Sequence, residues 1–82
     1  MSGLARDPNQ IGNQIRRARK RRGWTQGVLG AKAGFRQETI SLIESGNSAA
    51  NIQTILAILA ALDLELRIAP RSKGSLAIES DF

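Results

Sequence analysis

The chain contains no cysteine, no histidine and no tyrosine. Without cysteine, neither a disulfide framework nor a thiolate metal site can be built. Without histidine, the commonest metal ligand and the usual general base near neutral pH are missing. These absences speak against an enzyme, and no nucleophile–base constellation stands in their place. No cofactor or metal is therefore expected. Long apolar runs are absent too: the longest, around Ile55 to Leu62, is too short to span a bilayer. The first residues lack the apolar core of a secretory signal, so a cytoplasmic protein is expected.

What is present is positive charge. The 82 residues hold 12 Lys and Arg against 7 Asp and Glu, a formal charge of +5. Such an excess favours polyanions, nucleic acid before an anionic membrane. The length suits one domain with a small core, which a partner subunit would help to stabilise.

Residues 1–7 lack periodicity and read as a flexible arm. Asp7-Pro8 is a helix start, with Asp as cap and Pro in the first turn. Ile11, Ile15 and Ala18 then share a face, and the basic residues Arg16 to Arg22 crowd the C-terminal end, where the helix dipole favours cations. Gly23 stops this helix, and Trp24 reads as a core plug between two helices.

Thr25 caps a second helix over 26–33 with Val28, Leu29 and Ala33 inward, although Gly27 and Gly30 weaken it. After Gly34, Phe35 and Arg36 turn the chain into a third helix over 37–45 with Ile40 and Ile43 inward. Asn51 caps a fourth helix whose Ile52, Ile55, Leu56, Leu59 and Leu62 predict burial on more than one face.

From Leu64 the period changes to two: Leu64, Leu66 and Ile68 alternate with Glu65, Arg67 and Ala69, and Pro70 ends the run. No second strand of comparable quality is visible, and a lone strand cannot satisfy its own backbone. Pairing with the same strand of a second copy, which makes a two-fold dimer, is one solution. An apolar segment packed on the bundle is the other. Residues 71–82 read as a flexible tail, in which Leu76, Ile78 and Phe82 are candidates for docking a partner. The domain proper is residues 8–70.

Two short helices joined by a glycine-containing turn form a helix-turn-helix unit, whose second helix can enter a major groove. Gln37, at its start, can contact the N6/N7 edge of adenine in a bidentate way. Arg36 can reach guanine or a phosphate, and Ser41 lies one turn after Gln37 on the same face. Glu38 could accept from cytosine N4 but would repel phosphate, and Leu42 can touch a thymine methyl or simply pack.

The ordered set Thr25-Gln26, Leu29, Ala33-Gly34, Thr39-Ile40-Ser41, Ile43-Glu44 and Gly46 resembles the Cro/repressor-like, or Xre, helix-turn-helix family from Ile15 to Leu62. GWTQ at 23–26, Phe35-Arg36-Gln37 and above all LELRIAP at 64–70 resemble the HipB-type antitoxin branch of that family. The implied fold is mainly α, a four-to-five-helix bundle with one C-terminal β-strand pairing across a two-fold dimer.

The resemblance implies base contacts from Arg36, Gln37 and Ser41, with Thr25, Gln26, Glu38 and Leu42 completing the DNA-facing set. Gln26 matches a glutamine that clamps the DNA backbone. It implies a structural salt bridge between Arg19 and Glu44, and dimerisation through Leu64, Leu66 and Ile68. Arg36 stands where Ser or Thr usually caps the third helix, so the cap is lost and a DNA-facing charge gained. The implied partners are operator DNA, a second copy and a HipA-like serine/threonine kinase toxin. A stand-alone Xre-type repressor is the alternative.

Overall fold

The computed structural model of the chain describes residues 3–5, 7–47, 50–68 and 76–79. Among the described residues there are four helices: α1 (Pro8–Arg21), α2 (Gln26–Ala33), α3 (Gln37–Glu44) and α4 (Ile52–Ala61). Three short strands accompany them: β1 (Gly3–Ala5), β2 (Glu65–Arg67) and β3 (Leu76–Glu79).

Three of the four helices start on a side-chain cap that offsets an orphan backbone donor. Asp7 Oδ1 accepts from the Gln10 amide at 3.0 Å, Thr25 Oγ1 from Val28 at 3.1 Å, and Asn51 Oδ1 from Thr54 at 2.9 Å. Pro8 occupies the first turn of α1, and Arg19, Lys20 and Arg21 its last. α3 begins at Arg36 without a side-chain cap. The acidic residue in its first turn, Glu38, offers the dipole a compensating negative charge.

Ile15, Ala18, Leu29, Ile40, Ile43, Ile58, Leu59 and Leu62 are buried together, so all four helices feed one core. The short α2 owes its place to this packing. Leu29 is fully buried, and Gly30 lies where a side chain would not fit: a Cβ there would stand 2.7 Å from the Phe35 carbonyl oxygen. The glycine that weakens the isolated helix therefore lets the turn into α3 pass close by. Val28, expected inward, is 40% exposed. In a two-turn helix the apolar stripe is too short to assign every position.

Trp24 is half-buried at the core's edge rather than plugged inside it. Its ring carries the Arg22 guanidinium at 5.2 Å and the Lys32 ammonium at 4.9 Å from the centroid. Arg22 Nη2 also donates to the Leu62 carbonyl at 2.9 Å, which ties the end of α1 to the end of α4.

α4 is buried on one side only. Ile58, Leu59 and Leu62 are inside, while Ile52 and Leu56 are exposed. With Ala60, also exposed, these residues recur every four positions and form an apolar stripe open to solvent. Asp63 then adopts φ 59°, a left-handed conformation that Asp tolerates better than most residues. Asp63 and Leu64 donate to the Ala60 and Leu59 carbonyls, closing the helix and turning the chain into β2.

The sheet has the order β1-β3-β2 with both pairings antiparallel. Leu66 faces Ile78 and Leu4 faces Ala77 in register. The strand expected near 64–69 is there, and the partner resolved for it is β3 of the same chain. The segments read as a flexible arm and a flexible tail thus supply β1 and β3. Three or four residues carry too little alternation to be recognised alone, and their pairing joins the two ends of the chain. Because β3 is central, β2 lies at a sheet edge. Ala69, Pro70 and Phe82 lie outside the described residues.

Candidate nucleic-acid interface

The helix-turn-helix unit is α2, the 34–36 turn and α3. Gly34 closes α2 in the left-handed conformation (φ 85°), which a side chain would strain. The turn brings the N-terminus of α2 beside the first residue of α3. Gln37 Nε2 donates to Gln26 Oε1 at 2.6 Å, and Gln26 Nε2 donates to Glu44 Oε1 at 3.2 Å. Gln26 is half-buried and Gln37 exposed.

Beneath the two glutamines lies a buried ion pair. Arg19 Nε donates to Glu44 Oε2 at 2.6 Å and Arg19 Nη2 to Glu44 Oε1 at 3.0 Å, a two-point contact between α1 and the last residue of α3. The two side chains are 10% and 4% exposed. The third donor, Nη1, reaches the Trp24 carbonyl at 2.8 Å. The hydrogen bonds to Glu44 raise the Arg19 pKa, against the opposing effect of burial. Each of the three guanidinium nitrogens therefore has an acceptor, and the side chain ties α1, the segment leading into α2 and the end of α3 to one another.

On the outer side, Thr25, Arg36, Gln37 and Glu38 are exposed, with Ser41 half-buried one turn along. Leu42 is 51% exposed and borders a groove of about 300 Å³ that Phe35, Thr39, Asn51 and Thr54 also line. Arg16, Arg17, Lys20, Arg21, Arg22 and Lys32 are exposed as well, so most of the positive charge among the described residues is solvent-facing. Two residues of the site carried no signal of their own role in it: Trp24, through its carbonyl, and Gly30, through the close turn.

Of the residues expected to join two subunits, Leu64 and Leu66 pack against the chain's own core, whereas Ile68 is 85% exposed. Leu76 and Ile78 are on β3, and Phe82 falls outside the described residues. Among the described residues there is no cluster of acidic side chains able to hold a metal, and no helix long and apolar enough to cross a membrane.

A helix-turn-helix family model matches residues 15–68, which takes in α2, the turn, α3, α4 and β2. The chain belongs to the Xre-type helix-turn-helix family, a family of DNA-binding domains. It is 32% identical over 68 residues to antitoxin HipB of Escherichia coli K12, covering 83% of this chain and 77% of HipB. The match to antitoxin HipB of Escherichia coli O6:H1 is also 32%, over 72% of that protein.

An uncharacterised helix-turn-helix-type transcriptional regulator of Sinorhizobium fredii is 34% identical over the same length, but only 35% of it is covered. Among solved structures, a HipB–O2 20mer complex superposes with a TM-score of 0.71 at 33% identity. That match covers 77% of this chain and 88% of the other. The expected mainly helical, HipB-like architecture is the one found.

Proposed function

We propose that this chain is a dimeric, sequence-specific operator-binding antitoxin of the HipB type, which represses its own operon and neutralises a HipA-like serine/threonine kinase. The observation that carries the DNA-reading half is the Gln26–Gln37 pair. It presents an anchored carboxamide at the exposed start of α3, with Arg36 and Ser41 beside it, in a fold shared with a HipB–20mer complex. Gln37, Arg36 and Ser41 read base edges; Thr25 and Gln26 hold the DNA backbone, with Glu38 and Leu42 at the rim. The exposed basic residues supply the longer-range attraction, so binding weakens steeply with salt.

Two copies place two recognition helices in successive major grooves, roughly 34 Å apart. Support for the dimer comes from the open apolar stripe of Ile52, Leu56 and Ala60, and from exposed Ile68 just after the edge strand β2. A monomer gains nothing from exposing these side chains, and pairing two β2 edges about a two-fold axis would extend the sheet.

The toxin half rests on the likeness to HipB. The match to a transcriptional regulator favours the second reading, a stand-alone repressor with the same dimer and the same DNA-reading surface. Affinity capture of the chain from its native host, with identification of co-purifying proteins, separates the two. A near-stoichiometric HipA-like kinase supports the antitoxin. Recovery of the chain alone, at a salt concentration that preserves complexes, rejects it in favour of the stand-alone repressor.

A further inference from the structure

We infer that Glu44 is a positioning residue for base recognition: acting through Gln26, its buried carboxylate dictates which end of the Gln37 amide faces the DNA. The inference rests on the base-reading role given to Gln37 above. It follows from the hydrogen-bonding inventory of four side chains in a row.

A guanidinium only donates and a carboxylate only accepts, while a glutamine amide does one at each end and can be turned over. Arg19 spends two donors on Glu44, which holds that carboxylate in place as an acceptor. Glu44 Oε1 can then receive only a donor from Gln26, and Nε2 lies 3.2 Å away. Turning Gln26 over would face two acceptors across that gap inside a half-buried site, where an unmade bond is expensive.

With Nε2 committed inward, Gln26 shows its Oε1 to Gln37, whose Nε2 approaches to 2.6 Å. The amide of Gln37 is thereby committed as well. What remains for the groove is its Oε1 and the second hydrogen of its Nε2, in a fixed order. That pair matches the N6 donor and N7 acceptor of adenine. It mismatches guanine, which shows two acceptors, and thymine, which shows an acceptor and a methyl group. Without a charged acceptor at position 44, both glutamines can turn over together, and Gln37 can offer its donors first.

The test uses the full chain and a duplex selected by it from a random-sequence library. Gln37→Ala locates the base pair that Gln37 reads, as the one at which base preference disappears. The adenine-over-guanine preference at that pair is then measured for the parent, for Glu44→Gln and for Gln26→Met. Gln26→Met leaves the Arg19–Glu44 pair intact and covers the case in which Glu44→Gln does not fold.

The parent should discriminate by about tenfold or more, and both variants should bring this ratio close to one. Variants that keep the parental ratio overturn the inference. The free protein gives an independent reading: the two Gln37 amide protons should be widely separated in the NMR spectrum, and the separation should collapse in either variant. If it persists, the relay from Glu44 is refuted whatever the DNA shows. If it collapses but Gln37→Ala relaxes no base pair, the relay stands, and the base-reading role of Gln37 falls together with the specificity drawn from it.

Discussion

Arg19→Met should be among the most damaging single changes in this chain. The substitution preserves much of the side-chain bulk but removes two hydrogen bonds to Glu44 and one to the Trp24 carbonyl. It leaves a carboxylate that is 4% exposed with the weaker support of the Gln26 amide. Breaking a buried pair on one side costs about 3–5 kcal/mol, because the surviving charge stays desolvated.

At roughly 0.05–0.15 kcal/mol per residue, a domain of this length has about 4–12 kcal/mol in all, so the loss is a large part of it. Urea unfolding, followed by the single tryptophan at fixed protein concentration, should show the midpoint falling by about 2–4 M, for a slope of about 1.3 kcal/mol per M. The double change Arg19→Met with Glu44→Leu removes both charges and should recover to within about 1 kcal/mol of the parent. A single variant whose midpoint moves by less than about 0.5 M at unchanged slope would mean that the pair is effectively solvated. A double variant as weak as the single would shift the cost from the stranded charge to the lost tie at Trp24.

Three further outcomes are expected. Gly30→Ala gains up to about 1 kcal/mol of helix propensity but forces the Phe35 carbonyl away at about 1–3 kcal/mol, so the melting temperature should fall; a rise would show that the turn yields freely. Ile68→Asp should give a monomer in sedimentation that still unfolds cooperatively, with a midpoint that no longer depends on protein concentration, and a dimer that persists would reject pairing at the β2 edge. Leu66→Asp is the poorer probe, because Leu66 packs on its own core. Arg36→Ala should lower the salt dependence of DNA binding by about one unit of slope if Arg36 holds a phosphate, and should instead relax one base pair if it reads a base; no change in either would remove it from the interface.

Local chemistry made the helices legible. Asp7, Thr25 and Asn51 cap within three residues of themselves, and Ile15, Ala18, Ile40 and Ile43 repeat at helical spacing. The misjudged positions are those decided by distant chain. Val28 and Leu29 are equally apolar neighbours, and only the packing of α2 on α3 and α4 decides which enters the core. Ile52 and Leu56 looked like interior residues because apolar side chains suggest burial, yet one chain covers only one side of α4. β1 and β3 depend on a pairing between the two ends of the chain, a contact that no local pattern encodes.

The site shows the same division. The family resemblance pointed to Arg19 with Glu44, and to Gln26 and Gln37 as residues facing DNA. It did not connect the two pairs. The connection is one hydrogen bond, from Gln26 Nε2 to Glu44 Oε1, spanning 18 positions in sequence. That bond gives the ion pair a second consequence. As a structural device it is replaceable, since two well-packed apolar residues hold helices together as firmly. As the fixed end of a chain of donors and acceptors it is not, because no apolar pair can tell an amide which way to face. The Arg19→Met, Glu44→Leu double variant therefore separates the two roles. It should fold about as stably as the parent and still lose base discrimination at the pair read by Gln37.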